Sequence, residues 1–145
     1  MDHYTPQTFS VTESIGFLLN KARNLVTAEV DAALKAFDIT GQQMGIVLSI
    51  RAGLAGTPFE LSKLLAIDTG LMTRLLDKLE TKELLERSRS DEDRRVVNLA
   101  LTGKGRKLAD QLPALAQGVL NARLEKFSKA EFEQLGQLLH KFIGE

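Results

Sequence analysis

The sequence contains no cysteine. Thiol nucleophiles, disulfides, thiolate metal sites and cysteine redox sensing are excluded together. There are two histidines, His3 and His140, at opposite ends of the chain. With no H-x-x-x-H spacing, no metal site is expected. No Ser/His/Asp or paired-carboxylate set can be assembled around two such peripheral imidazoles, so an enzyme is hard to build and no cofactor is implied. Net charge is absent too. The 19 Lys/Arg balance 19 Asp/Glu, and no whole-molecule basic field announces nucleic acid. Long apolar runs are missing as well. The opening MDHYTPQTFS has no apolar leader core, and no stretch approaches the length of a bilayer span. The expectation is a cytoplasmic protein with no membrane partner.

What is present describes an ordinary globular chain, 145 residues with 43% hydrophobic and 26% charged side chains, of the size of one domain or two small lobes on one core. Helix starts are legible from capping boxes, in which a Ser/Thr and the Glu/Gln three residues later satisfy orphan backbone donors. They occur at Ser10…Glu13, Thr40…Gln43, Thr57…Glu60 and Ser128…Glu131. Pro58 suits a first helical position, and Asp68 and Thr102 suit single N-caps. Apolar spacing predicts one long helix from Ile15 to Phe37 and a second around Met44, Val47 and Leu48, closed by Gly53. A short third helix carries Leu61, Leu64 and Leu65, and a fourth carries Leu71, Met72, Leu75, Leu76 and Leu79. A fifth runs from Leu108 towards Phe127 with Pro113 as an expected kink, and a sixth spans Phe132 to Ile143.

Between the fourth and fifth helices lies LLERSRSDEDRRVVNLALTGKG, residues 84–105. Leu85, Arg87 and Arg89 share one strand face on the way in, and Val97, Leu99 and Leu101 share one on the way out. The tip, SRSDEDRR from Ser88 to Arg95, is too polar to bury. Around it, from Arg74 to Lys107, ten Lys/Arg stand against seven Asp/Glu, so the neutral average hides a local basic excess. Gly103-Lys104-Gly105 lacks the other residues of a phosphate-binding loop and reads as a helix start. The third helix, the three-residue turn Ala66, Ile67 and Asp68, and the fourth helix form a helix-turn-helix pattern, and the hairpin makes it a winged one. The predicted fold is mainly α with a small β-hairpin wing. Its natural partner is double-stranded DNA.

Base edges are read from near the N-terminus of a recognition helix. Thr69, Gly70, Thr73 and Arg74 are the candidates there, with Lys78 on the flank. Arg can grip guanine bidentately, Thr can bond or touch a thymine methyl, and Gly lets the backbone come close. The same residues also suit an ordinary solvated helix face. In the wing, Arg89, Arg94 and Arg95 are candidates, since guanidinium groups enter A·T-rich minor grooves. Asp91, Glu92 and Asp93 are wrong for meeting phosphate, and at least one is expected to pair within the protein and aim an Arg.

The run LSKLLAIDTGLMTRLLDKLETKELLERSRSDEDRRVVNLALTGKG resembles the signature of the MarR family of bacterial transcription regulators. The matching pieces are MTRLLDKLE, the leucine–acid–arginine run leading into the wing, D-R-R at its exit, and L-T-x-x-G. The resemblance implies an obligate homodimer, with residues 10–38 and 104–144 forming a helical dimerisation lobe and residues 40–102 the winged helix-turn-helix lobe. It also implies a repressor of a pseudo-palindromic operator, released by a small aromatic or phenolic effector held between the lobes. A wing Arg in the minor groove falls on Arg94 or Arg95. A latch between an acid at the recognition-helix start and a wing Arg falls on Asp68, with Arg95 as the expected partner and Arg94 left for DNA. One departure stands out: the family usually has Gly where this chain has Glu83, so either Glu83 takes a positive φ at a left-handed C-cap, at roughly 1 kcal/mol or more, or the helix ends differently here. Two rivals remain open at this stage, a winged helix used for protein or RNA contact and a small-molecule enzyme on a helical scaffold.

Overall fold

Most helices begin where a short polar side chain predicts. The computed structural model describes residues 1–145, with helices α1 (Ile15–Leu34), α2 (Gly41–Arg51), α3 (Pro58–Leu65) and α4 (Thr69–Thr81), strands β1 (Leu85–Arg89) and β2 (Val97–Leu101), then α5 (Gly103–Arg123) and α6 (Lys129–Ile143). Thr40 with Gln43 and Ser128 with Glu131 form complete capping boxes. Thr57 caps α3 through Glu60 N–H with Pro58 in the first turn, and Thr102 caps α5 through Gly105 N–H.

Three boundaries differ from expectation. The cap of α1 is Ser14, not Ser10, because residues 11–14 are already spent in a turn closed by Ser14 N–H to the Val11 carbonyl at 3.4 Å. Ser14 Oγ then accepts from Phe17 N–H, and the Tyr4 hydroxyl accepts from Ile15 N–H at 2.9 Å. Phe37 lies beyond α1 in a single 3-10 turn, Lys35–Phe37, which stops at Asp38 in the left-handed region, φ 54°. At the other end α5 closes at Arg123, short of Phe127, and it runs through Pro113 without a break, leaving the Ala109 carbonyl without its usual intrahelical donor.

The core gathers between the helices that carry the hairpin. Leu34, Ile46, Leu61, Leu76, Leu79, Leu85 and Leu112 are fully enclosed, so α1 to α5 and both strands contribute to one cluster. The hairpin is antiparallel, pairing Leu85 with Leu101, Arg87 with Leu99 and Arg89 with Val97. The outer edge of β2 is tied to the α2–α3 loop by Leu99 N–H to the Gly56 carbonyl at 2.8 Å. In contrast, α6 buries none of its residues.

Two backbone features set how the hairpin leaves α4. Glu83 adopts φ 59°, so the chain turns through a left-handed residue without the glycine that conformation favours, at a cost of about 1–2 kcal/mol. Bonds on both sides hold it there: the Thr102 hydroxyl donates to the Glu83 carbonyl at 2.6 Å, Leu84 N–H to Leu79 at 3.0 Å, and Lys104 Nζ to Lys82 at 3.0 Å. Across the same junction a Cβ on Gly105 would stand 1.9 Å from the Leu84 carbonyl oxygen. The start of α5 can lie on the α4–β1 turn only because residue 105 has no side chain.

Candidate nucleic-acid interface

The recognition helix presents the face read from the sequence. The turn into α4 passes through Ala66, left-handed at φ 51°, and Asp68 caps the helix by accepting Leu71 N–H at 2.9 Å. Met72, Leu75, Leu76 and Leu79 are buried, while Thr69, Gly70, Thr73, Arg74 and Lys78 are all exposed. Thr73 donates its hydroxyl proton to the Thr69 carbonyl at 2.9 Å, which leaves its oxygen lone pairs without a partner in the chain. A Cβ at Gly70 would meet nothing closer than Asp68 Oδ1 at 3.3 Å, so no protein backbone demands glycine at that position. The Arg74 and Lys78 side chains make no ion pair or hydrogen bond within the chain, and their charges face solvent.

In the wing, three guanidinium groups meet three different fates. Arg95 is bidentate on Asp93, Nε to Oδ1 and Nη2 to Oδ2, both at 3.1 Å, and its backbone N–H also reaches Oδ1 at 3.0 Å. These bonds, the Arg95 side chain foremost, hold the Asp93 carboxyl below its ordinary value. Arg89 donates Nη1 to the Arg94 carbonyl at 2.8 Å and braces the tip from inside. The Arg94 side chain has no partner. The expected latch between Asp68 and Arg95 is not made: Asp68 caps α4 through Oδ1 as expected, but Asp93, two residues from Arg95, takes its guanidinium instead. Among the acids of the tip, Asp93 is the one paired within the protein.

The cross-link that does join wing to recognition helix was not anticipated. Arg87 reaches Asp77 Oδ1 at 2.5 Å and Glu80 Oε1 at 3.2 Å through Nη2, and Glu80 Oε2 at 3.2 Å through Nε. Hydrogen bonding to Arg87 lowers the Glu80 pKa, and bonds to Glu80 and then Asp77 raise that of Arg87. A signal was present in the sequence. Arg87 shares its strand face with Leu85, and an Arg on a core-facing strand needs carboxylate partners; Asp77 and Glu80, three apart on α4, are spaced to supply them.

A cleft of about 590 Å³ opens behind the helix-turn-helix. One wall is α1, through Arg23, Val26, Thr27 and Val30; the other is α2 and the turn from Leu65 to Asp68. Arg23 is the only cation lining it.

The chain is 32% identical to the multiple antibiotic resistance protein MarR of Escherichia coli over 140 residues, 96% of this chain and 97% of that protein. The MarR family model itself matches residues 39–97. This chain belongs to the MarR family. A cysteine-to-serine mutant of Escherichia coli MarR, solved in complex with operator DNA, superposes with a TM-score of 0.82 at 31% identity, covering 92% of this chain and 98% of the other. The HTH-type transcriptional repressor NicR of Pseudomonas putida is 27% identical over 135 residues, 93% of this chain and 85% of its own. As a MarR-family protein, the chain is a DNA-binding transcription regulator with the winged-helix fold.

Proposed function

We propose that this chain is a cytoplasmic, homodimeric repressor that binds a pseudo-palindromic operator and releases it when a small aromatic acid enters the cleft beside α1. The observation that carries the DNA-binding residues is the sorting of the wing: Arg89 and Arg95 are held within the protein, and Arg94 is left unpaired at the tip. Arg94 enters the minor groove, Arg89 and Arg95 shape the loop that presents it, and Thr69, Gly70, Thr73 and Arg74 read the major groove with Lys78 on phosphate. Dimerisation rests on α1, α5 and α6, in the segments 10–38 and 104–144, with 40–102 as the DNA lobe. Leu138, Phe142 and Ile143 of α6 are 56%, 62% and 62% exposed, an apolar face too broad for one chain to leave in water.

The effector reading is supported by the cleft. Its volume suits a small ligand, just over half of its lining residues are hydrophobic, and Arg23 supplies one cation for a carboxylate, with Asp68 the one acid on the same lining. Its far wall is the turn that sets the pitch of α4, so a ligand there acts on the recognition helix itself. No catalytic role is assigned; His140, the one histidine near a charged partner, faces Glu145 at an exposed C-terminus.

The test is to select fragments of the source genome on the protein, sequence what is retained and footprint it. A discrete two-fold footprint is expected, with log K falling against log salt at about −0.9 per phosphate contact. Hydroxybenzoates should release the complex, and the Arg23→Ala variant should not respond. Weak binding without sequence preference would favour a protein- or RNA-contact module instead.

A further inference from the structure

We propose that Arg87 is the positioning residue of the wing: by clamping Asp77 and Glu80 it fixes the hairpin against α4 and keeps two carboxylates of the recognition helix away from the phosphate backbone. This rests on the DNA-binding reading above. It concerns a residue that is not itself offered to DNA.

Arg87 stands in the middle of β1, opposite Leu99, on the face that also carries the buried Leu85, Leu99 and Leu101. Its side chain is only 27% exposed, and its planar fork spans both acids at once. A guanidinium matches that arrangement and a lysine ammonium does not, because Glu80 is gripped through two nitrogens. Tipward of Arg87, every hydrogen bond of the hairpin stays inside the hairpin: Arg89 to the Arg94 carbonyl, Glu92 and Asp93 N–H to Ser90 Oγ, Ser90 N–H to the Val96 carbonyl, and Arg95 to Asp93. A two-stranded hairpin holds its own shape only marginally in water. The pose of the tip, and of Arg94 on it, therefore depends on the last anchors before it, which are the Arg87 fork and the bond from Leu99 to Gly56.

The second consequence is electrostatic. Asp77 is half exposed on the helix that carries Arg74 and Lys78, and it lies three residues beyond Arg74. Residues at that spacing are neighbours on a helix surface. Without Arg87, Asp77 is free to draw Arg74 into an intrahelical pair, and both acids face incoming phosphates uncompensated. The fork thus keeps the base-reading Arg74 available while it aims the wing.

Three variants separate these roles, each footprinted on the operator at fixed salt after its fold is checked by circular dichroism. Arg87→Met should lower operator affinity about tenfold and erase protection at the wing's minor-groove positions, while the major-groove base preferences keep their order. Arg87→Lys retains the charge without the fork, and should recover part of the affinity without restoring the wing footprint. Arg87→Met combined with Asp77→Asn and Glu80→Gln removes the repulsion and should likewise recover affinity only. A full wing footprint in Arg87→Met or in the triple variant would overturn the positioning role. No footprint from the unsubstituted protein would overturn the DNA-binding reading, and this inference with it.

Discussion

Replacing Gly105 with alanine perturbs the junction where α4, the wing and α5 meet. The new methyl would sit 1.9 Å from the Leu84 carbonyl oxygen and 2.9 Å from its carbon, both backbone atoms, with the Leu101 side chain 3.4 Å away. An ordinary carbon–oxygen contact is well over an ångström longer than the first of these, so α5 must move away from the α4–β1 turn. That movement stretches the bond from Thr102 N–H to the Leu84 carbonyl, now 3.1 Å, and disturbs the buried Leu84 and Leu101. Overpacking of this kind costs about 1–3 kcal/mol and the lost hydrogen bond about 1 kcal/mol, against a gain of up to about 1 kcal/mol in helix propensity. The net loss is about 1–4 kcal/mol, which for a chain of this size lowers Tm by about 3–12 °C. Urea unfolding at constant protein concentration is the assay, read as a fall in midpoint at unchanged slope. Gly103→Ala is the control, in the same first turn. There the nearest foreign atom to a new Cβ is the Arg106 guanidinium at 3.8 Å, and stability should hold or rise slightly. If Gly105→Ala unfolded at the wild-type midpoint, the close approach of α5 to Leu84 would be refuted.

Other expectations follow from the same geometry. Arg74→Ala should relax base preference at one position of each half-site at a cost of about 1–3 kcal/mol; equal weakening on all sequences in a binding-site selection would make Arg74 a phosphate contact instead. Arg94→Ala should weaken operator binding more than Arg95→Ala and remove the wing's A·T preference, whereas Arg95→Ala should act by loosening the tip; competition assays on operators with substituted flanks distinguish them. Glu83→Gly should stabilise the protein by about 1 kcal/mol, because glycine meets the φ of 59° without strain, and a chemical denaturation midpoint measures it.

The elements and their order were written locally. A cap and the amide it satisfies lie three residues apart, as at Thr40, Thr57, Asp68, Thr102 and Ser128, and a helix or strand face repeats within one element. The recognition-helix face, the three-residue turn and the hairpin could therefore be read without knowing what they pack against. The cap of α1 moved from the expected Ser10 to Ser14 because the turn at residues 11–14 uses the chain between them. At Glu83 only the family resemblance marked the position; its backbone does take the left-handed turn, φ 59°, that a glycine would suit.

Which charge meets which was not local. The sequence pointed to Arg89, Arg94 and Arg95 in the wing and to a pairing of Asp68 with Arg95, and left Arg87, Asp77 and Glu80 without a role. The left-handed turn at Glu83 lays β1 along α4, bringing Arg87 onto Asp77 and Glu80, while the tight tip gives Arg95 to Asp93. Likewise the need for glycine at position 105 exists only because the Leu84 carbonyl, twenty-one residues earlier, passes beneath it. Ion pairs and close contacts act over a few ångströms, so their partners are chosen by how the chain folds back on itself. Sequence alone determined the elements and the exposed helix face; tertiary structure decided which arginine of the wing tip is left unpaired.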